Sequence, residues 1–319
     1  MTPGASMAPA GQRVSETVSP QDSGARLDVW LQGRLPSLSR TRIKALVASG
    51  HVLVGGVRVK AAHRLRAGEL VEAEVPPAPP EELAPEPIAL AVVYEDEHVL
   101  VIDKPAGMVT HPGAGRSTGT LAAAALAHAP GMAGVGGPRR PGIVHRLDKG
   151  TSGLVVLAKT QIAYDRLTAA LAARRVTRRY VCLVRGNLRP ASGVIDKPIA
   201  RDARSRVRMA VARAGTGKRA VTRFRVLERL REATLVECRL ETGRTHQIRV
   251  HLASLGHPIL GDDTYGGRTR DGLPSGLASM EGVALHAIGL SFIHPVSGIA
   301  LEFSSPPPPR IGMLLSHLR

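Results

Sequence analysis

The chain has 319 residues, 43% of them hydrophobic, enough for one large domain or a large domain with a small one attached. Forty-three Lys plus Arg stand against 26 Asp plus Glu, a formal charge of +17 that predicts salt-sensitive attraction to a polyanion, nucleic acid first; a base-composition bias is the other source of such a surplus, so its placement must decide. No window is apolar enough to cross a bilayer, and 3% aromatic residues with no RNP pattern speak against an RRM.

Residues 1 to 23 carry no apolar signal core and read as a disordered tail. A small module follows over 24 to 75. In LSRTRIKALVASG, Ser39 is placed as an N-cap, Ile43, Leu46 and Val47 recur at helical spacing, and Gly50 falls at the C-cap position. Arg40 and Lys44 then share one side of that helix, away from its apolar stripe. HVLVGGVRVK reads as two short strands joined through Gly55-Gly56. So many cations in so small a unit (Arg34, Arg40, Arg42, Lys44, Arg58, Lys60, Arg64, Arg66) point to phosphate contact rather than to a solvated face. The module resembles the S4 RNA-binding domain through RLDVWL, SRTRIKALVASGHVLVGGVRV and LRAGELVEAEVP.

PPAPPEELAPEP, residues 76 to 87, is a stiff linker. Beyond it, over 88 to 319, short strand signals (AVVYEDEHVLVID, GLVVLAK, RRYVCLVRG, RVRMAV, TRFRVLERL, ATLVECRLE) accompany two helices, QIAYDRLTAALAARR and THQIRVHLASLG. The pattern predicts an α+β domain on a mainly antiparallel mixed sheet, behind a small α+β module. Arg204, Arg206 and Arg208, and separately Arg223 and Arg225 around Phe224, alternate along their strands and suggest a basic ribbon. Cys182 and Cys238 are isolated in strand-like runs and read as reduced core residues, which favours the cytoplasm.

No nucleotide P-loop, kinase triad or G-x-S-x-G elbow is present, and His246 and His251, five apart, make poor metal ligands; His251 reads as a packed, hydrogen-bonded histidine. What remains is carboxylates and arginines. Asp148 in HRLDKGTSG has the ordinary reading of a turn cap, but with His145, Arg146 and Lys149 around it an ionised carboxylate becomes a candidate nucleophile. Arg244, after Gly243 at the mouth of a helix, offers a planar fork to a carboxylate or phosphate.

In order, DKPAGMVTHPG, PGIVHRLDKGTSGLVVLAK, TRRYVCLVRG, LETGRTHQIRVHLASLGHPILGDDTYGG and LHAIGLSFIHP resemble the RluA family of RNA pseudouridine synthases, and with the S4-like module its RluD-type branch. That resemblance implies isomerisation of uridine in large-subunit (23S) ribosomal RNA, free or in the assembling subunit, with no cofactor or metal. It assigns catalysis to Asp148, base packing and C5 deprotonation to Tyr180, and pairing with the aspartate to Arg244. It makes Arg146 the residue that fills the gap left by the flipped nucleotide, and sets Lys149, Lys104 and His111 along the RNA-binding edge. A monomer without membrane attachment is expected. A non-catalytic ribosome-assembly factor is the alternative, and a glycosylase releasing uracil a third reading.

Overall fold

The computed structural model describes residues 12–76, 82–113, 117–202, 205, 208–213, 215–266 and 282–319. The chain divides into two compact units, 1–81 and 82–319.

The first unit contains β1 (Gln12–Thr17), α1 (Leu27–Arg34), α2 (Arg40–Ser49), β2 (Val52–Val54) and β3 (Leu70–Val75). The tail expected over 1 to 23 is therefore partly structured: β1 pairs antiparallel with β3 from Gln12 opposite Val75 to Thr17 opposite Leu70. β3 alternates, burying Val71, Ala73 and Val75, because successive side chains point to opposite faces. Those residues meet Leu27, Trp30 and Leu31 of α1 and Ile43, Leu46 and Val47 of α2 in one core. α2 begins and ends where its caps require: Ser39 Oγ accepts from Arg42 N, and Gly50 closes it at φ 82°. The Gly55-Gly56 turn is present, but its second arm is only a bridge from Val54 to Val57; β2 instead pairs with β3.

Several cations of this unit are engaged internally. Asp28 is fully buried and receives Arg26 through two bonds of 2.9 and 3.2 Å, Arg40 at 3.1 Å and Lys44 at 3.8 Å. The hydrogen bonds from Arg26 lead in pulling its carboxyl down to about 2, against the opposing effect of burial. Arg34 stacks 4.0 Å above Trp30 and bonds to Glu16 and Asp22. Arg40 and Lys44 keep about half of their side chains exposed, so either can still meet a phosphate.

The second unit runs β4 (Val92–Glu95), β5 (Val99–Lys104), α3 (Leu121–His128), β6 (Ser152–Ala158), α4 (Gln161–Ala172), β7 (Thr177–Arg185), β8 (Ser192–Asp196), β9 (Ile199–Arg201), β10 (Met209–Val211), β11 (Val221–Arg229), β12 (Ala233–Leu240), α5 (Gln247–Ala253), β13 (Leu285–Ile293), β14 (Ala300–Ser304) and α6 (Pro309–Leu318). Among the described residues one large sheet orders its strands β4-β5-β6-β13-β7-β12-β11-β8, with β14 on β13; every pair is antiparallel except β6 with β13. That mixed, mainly antiparallel sheet matches the α+β expectation. β6 is buried at all seven residues, so its run SGLVVLA is apolar without alternation. Gly153 opens it at φ 111°, and a β-carbon there would lie 2.4 Å from Ala287 O, so the close approach of β13 demands glycine.

The basic ribbon is only partly as expected. Arg204 and Arg206 lie outside the described residues. Arg223 and Arg225 do share the exposed face opposite buried Phe224, but cross-strand carboxylates take them: Arg223 bonds Glu241 at 2.8 Å and Arg225 bonds Glu237 at 3.4 Å. Cys182 and Cys238 are buried free thiols on neighbouring strands, close enough that Cys238 and burial together push the Cys182 thiol up.

Candidate active site

Asp148 lies in the loop entering β6, and its carboxylate is not a turn cap. Its carbonyl closes the turn, accepting from Thr151 N at 3.0 Å, which leaves the side chain for other work. Both backbone neighbours are clamped by residues 104 to 110. Thr110 Oγ1 donates to Leu147 O at 2.7 Å and accepts from Leu147 N at 3.2 Å, while Gly107 N donates to Lys149 O at 2.8 Å.

Lys104 underlies that clamp. It is fully buried, and its Nζ donates to Pro105 O at 2.7 Å and Met108 O at 2.8 Å, shaping the turn from inside. Burial pushes its pKa down to about 7. The expectation that Lys104 forms part of an RNA-contacting edge is therefore corrected: a side chain with no exposed surface cannot touch a phosphate.

The partner of Asp148 is Arg249, not Arg244. Arg249 Nη1 donates to Asp148 Oδ2 at 3.3 Å, while its Nε and Nη2 fork to Asp262 at 2.7 and 2.8 Å. Asp262 is fully buried, so this second pair fixes the guanidinium plane. Burial alone would lower the Arg249 pKa, yet bonds to Asp262 and then Asp148 raise it overall. Arg244 instead donates from Nε to Arg219 O at 3.2 Å.

The switch between the two arginines has a local cause. Gln247 is buried and fully used, accepting from Thr242 Oγ1 and Arg244 N and donating to Val221 O and Thr222 Oγ1, which ties the loop to the start of β11. His246 then takes a left-handed backbone at φ 56°, a conformation that costs a non-glycine residue about 1–3 kcal/mol and persists only where the surroundings enforce it. α5 starts at once, and Arg249 in its first turn reaches Asp148. His246 Nε2 itself stands 4.0 Å from Asp148 Oδ2. Its Nδ1 lies 2.8 Å from Tyr265 Oη, which also accepts from Met209 N at 2.9 Å. Burial lowers the His246 pKa, with Asp148 opposing, so the ring is neutral at neutral pH.

Around Asp148 opens a cleft of about 620 Å³ whose lining includes His111, Arg146, Arg178, Tyr180, Thr242 and Arg244. That volume suits a nucleotide. Tyr180 is 5% exposed, and burial raises its pKa, so it is a neutral phenol. Arg146 is exposed at the rim and its Nη1 donates to His111 Nε2 at 3.3 Å; His111 in turn donates from Nδ1 to Pro112 O at 2.9 Å. Lys149 is exposed beside Asp148. His251 is the packed histidine expected, between Thr222 Oγ1 at 2.8 Å and Lys197 O at 2.9 Å.

Sequence reasoning brought Asp148, Tyr180, Arg146, His111 and Arg244 to one cleft but missed Arg249, Asp262, His246 and Tyr265. All four lie in the single stretch from Gly243 to Gly267, whose density of polar residues beside an apolar helix was the available signal.

Comparison with known proteins agrees with this geometry. Residues 98–254 match the family model described as RNA pseudouridylate synthase, and residues 25–71 match the S4 domain. The chain is 43% identical over 307 residues to an RNA pseudouridine synthase of Bacillus subtilis, YlyB, covering 96% of this chain and 98% of the relative. It is 44% identical over 308 residues to the ribosomal large subunit pseudouridine synthase D of Zymomonas mobilis, covering 95% and 96%. Among solved structures, human RNA pseudouridylate synthase domain containing 1 superposes with a TM-score of 0.56 at 28% identity, over 72% of this chain and 90% of that one. The chain thus belongs to the RNA pseudouridylate synthase family of isomerases, with an S4 domain at its N-terminal end.

Proposed function

We propose that this enzyme isomerises specific uridines of large-subunit (23S) ribosomal RNA to pseudouridine, as a cytoplasmic monomer without membrane attachment. The observation that carries the reading is Asp148: a carboxylate released from turn duty, held by Arg249 and set in a nucleotide-sized cleft with Tyr180. The Zymomonas relative, a ribosomal large subunit pseudouridine synthase D, supports the choice of RNA.

Asp148 acts on the sugar, either adding to C1′ or removing the C2′ proton so that a glycal forms; in both cases the N1–C1′ bond breaks. The detached uracil turns and C5 bonds to C1′ as the Asp148 carboxylate leaves C1′ or hands the C2′ proton back to the glycal, and the C5 proton then leaves. Tyr180 supports the base and takes that proton on its oxygen as its own phenolic proton passes to solvent in the cleft. Arg146, exposed at the rim, fills the place of the extruded nucleotide, since a base within a duplex is out of reach of the carboxylate. Lys149 and His111 line the RNA path. The S4 module over 24 to 75, with Arg40, Arg42 and Lys44 on α2, contributes backbone affinity.

Pseudouridine mapping in ribosomal RNA from cells with and without this protein tests the proposal. One or more large-subunit positions should revert to uridine in its absence. An unchanged map, with the protein still bound to assembling subunits, would favour the non-catalytic assembly role; free uracil released in vitro would favour a glycosylase.

A further inference from the structure

One side chain of the cleft has no use in the chemistry just described. Arg178 is 7% exposed and lines the cleft, yet its Nε is buried without a hydrogen-bond partner, and none of the described carboxylates pairs with its guanidinium. Of the other arginines there, Arg174 pairs with Glu241, Arg244 with Arg219 O and Arg146 with His111, while Arg140 is exposed to solvent. A buried charge without a partner is costly and is retained where a ligand completes it.

Placement narrows the ligand. Arg178 and Tyr180 are two apart on β7, so both project from the same face of the strand, and both line the cleft. Gly243 makes the room: a β-carbon there would come within 2.8 Å of Arg178 Nη1. His145, also in the lining, uses Nε2 to accept from Val156 N at 3.1 Å and is neutral, so it offers Arg178 no negative charge. The anion that the reaction itself generates in this place is the uracil leaving group.

We infer that Arg178 is a catalytic residue whose guanidinium takes the negative charge of the detached uracil beside Tyr180. This rests on the function proposed above. When N1–C1′ breaks, the bonding pair stays with uracil and spreads over N1, O2 and O4. C1′ is satisfied by a carboxylate oxygen of Asp148 or by loss of the C2′ proton to it. A planar fork of N–H donors matches the in-plane acceptors of that anion. C5 of the same anion then attacks C1′, which releases the Asp148 carboxylate or, on the glycal route, takes the C2′ proton back from it; the C5 proton leaves and N1 regains a proton from water, so charge leaves the guanidinium at the end.

Arg178→Met and Arg178→Lys, assayed in single turnover on RNA carrying either uridine or 5-fluorouridine at the target, test this. Fluorine stabilises the departing anion and lessens the need for the arginine. Arg178→Met should slow bond cleavage on uridine by about 10²–10³-fold, as loss of one preorganised donor does, with RNA affinity within roughly twofold. The deficit should shrink by about tenfold or more on 5-fluorouridine, Arg178→Lys should recover part of the rate, and the melting temperature should not fall, because no internal partner is removed. Weakened RNA binding with unchanged cleavage would assign Arg178 to a backbone phosphate and overturn the inference. Equal deficits on both bases, or a lowered melting temperature, would make the role structural and overturn it too. A wild-type protein that leaves uridine intact would instead overturn the proposed function, and this inference with it.

Discussion

Arg249 holds Asp148 by one nitrogen, Nη1 at 3.3 Å, and spends the other two donors on buried Asp262. The carboxylate proposed to act on the sugar is therefore aimed by a guanidinium whose own plane is fixed from behind. Arg249→Met should destabilise the fold by about 3 kcal/mol, chiefly because Asp262 is left buried and unpaired. Arg249→Lys keeps the charge but cannot fork to two carboxylates, so it should fold better than the Met variant while turnover still falls by about tenfold or more. Urea denaturation and single-turnover assays read the two effects; a fully active Lys variant would show that charge alone suffices.

Lys104 makes stability depend on pH. Its pKa falls from 10.5 unfolded to about 7 folded, so between those values the unfolded chain binds more protons and stability must rise with pH. Below pH 7 the folded protein bears the full cost of a buried ammonium; as pH climbs from 7 to 9.5, relief of about 3 kcal/mol follows from that shift. Lys104→Met should lack this rise. Parallel stability curves for the two proteins would refute the assignment.

Arg146 should matter in proportion to base pairing at the target. Arg146→Ala is expected to slow conversion about 10-fold or more on a paired or stacked uridine, where extrusion costs a few kcal/mol, and much less on an unpaired one. Equal losses on the two substrates would move its role to general affinity.

Removal of residues 1 to 81, a compact unit with its own core, should weaken RNA binding and flatten the slope of log affinity against log salt by about one for each phosphate that this unit neutralises. Titrations at several salt concentrations measure the slope. An unchanged slope would place phosphate recognition wholly in the larger unit.

Much of this site was legible in the chain. Caps at Ser39 and Gly50 placed α2, and the ordered motifs placed Asp148 and Tyr180 in one cleft. What escaped depended on three-dimensional placement. Arg244 and Arg249 are five apart in one motif, and the choice between them turns on the left-handed backbone of His246, which histidine tolerates without advertising. Lys104 looked like a surface cation because lysine so rarely is buried, and only its bonds to the Pro105 and Met108 carbonyls explain it. β13 was read only as a motif, LHAIGLSFI, although it sits between β6 and β7 in the sheet; burial at six of the first eight positions leaves little alternation to detect. Arg223 and Arg225 seemed available to RNA until the register set Glu241 and Glu237 beside them.

The most direct test is Asp148→Asn. Asparagine keeps an oxygen for Arg249 Nη1 to reach but removes the carboxylate to which the proposed sugar chemistry is assigned. In a single-turnover assay on ribosomal RNA that the wild type modifies, the account predicts no detectable pseudouridine, with affinity for that RNA within roughly twofold of wild type. Turnover retained by the variant would contradict it.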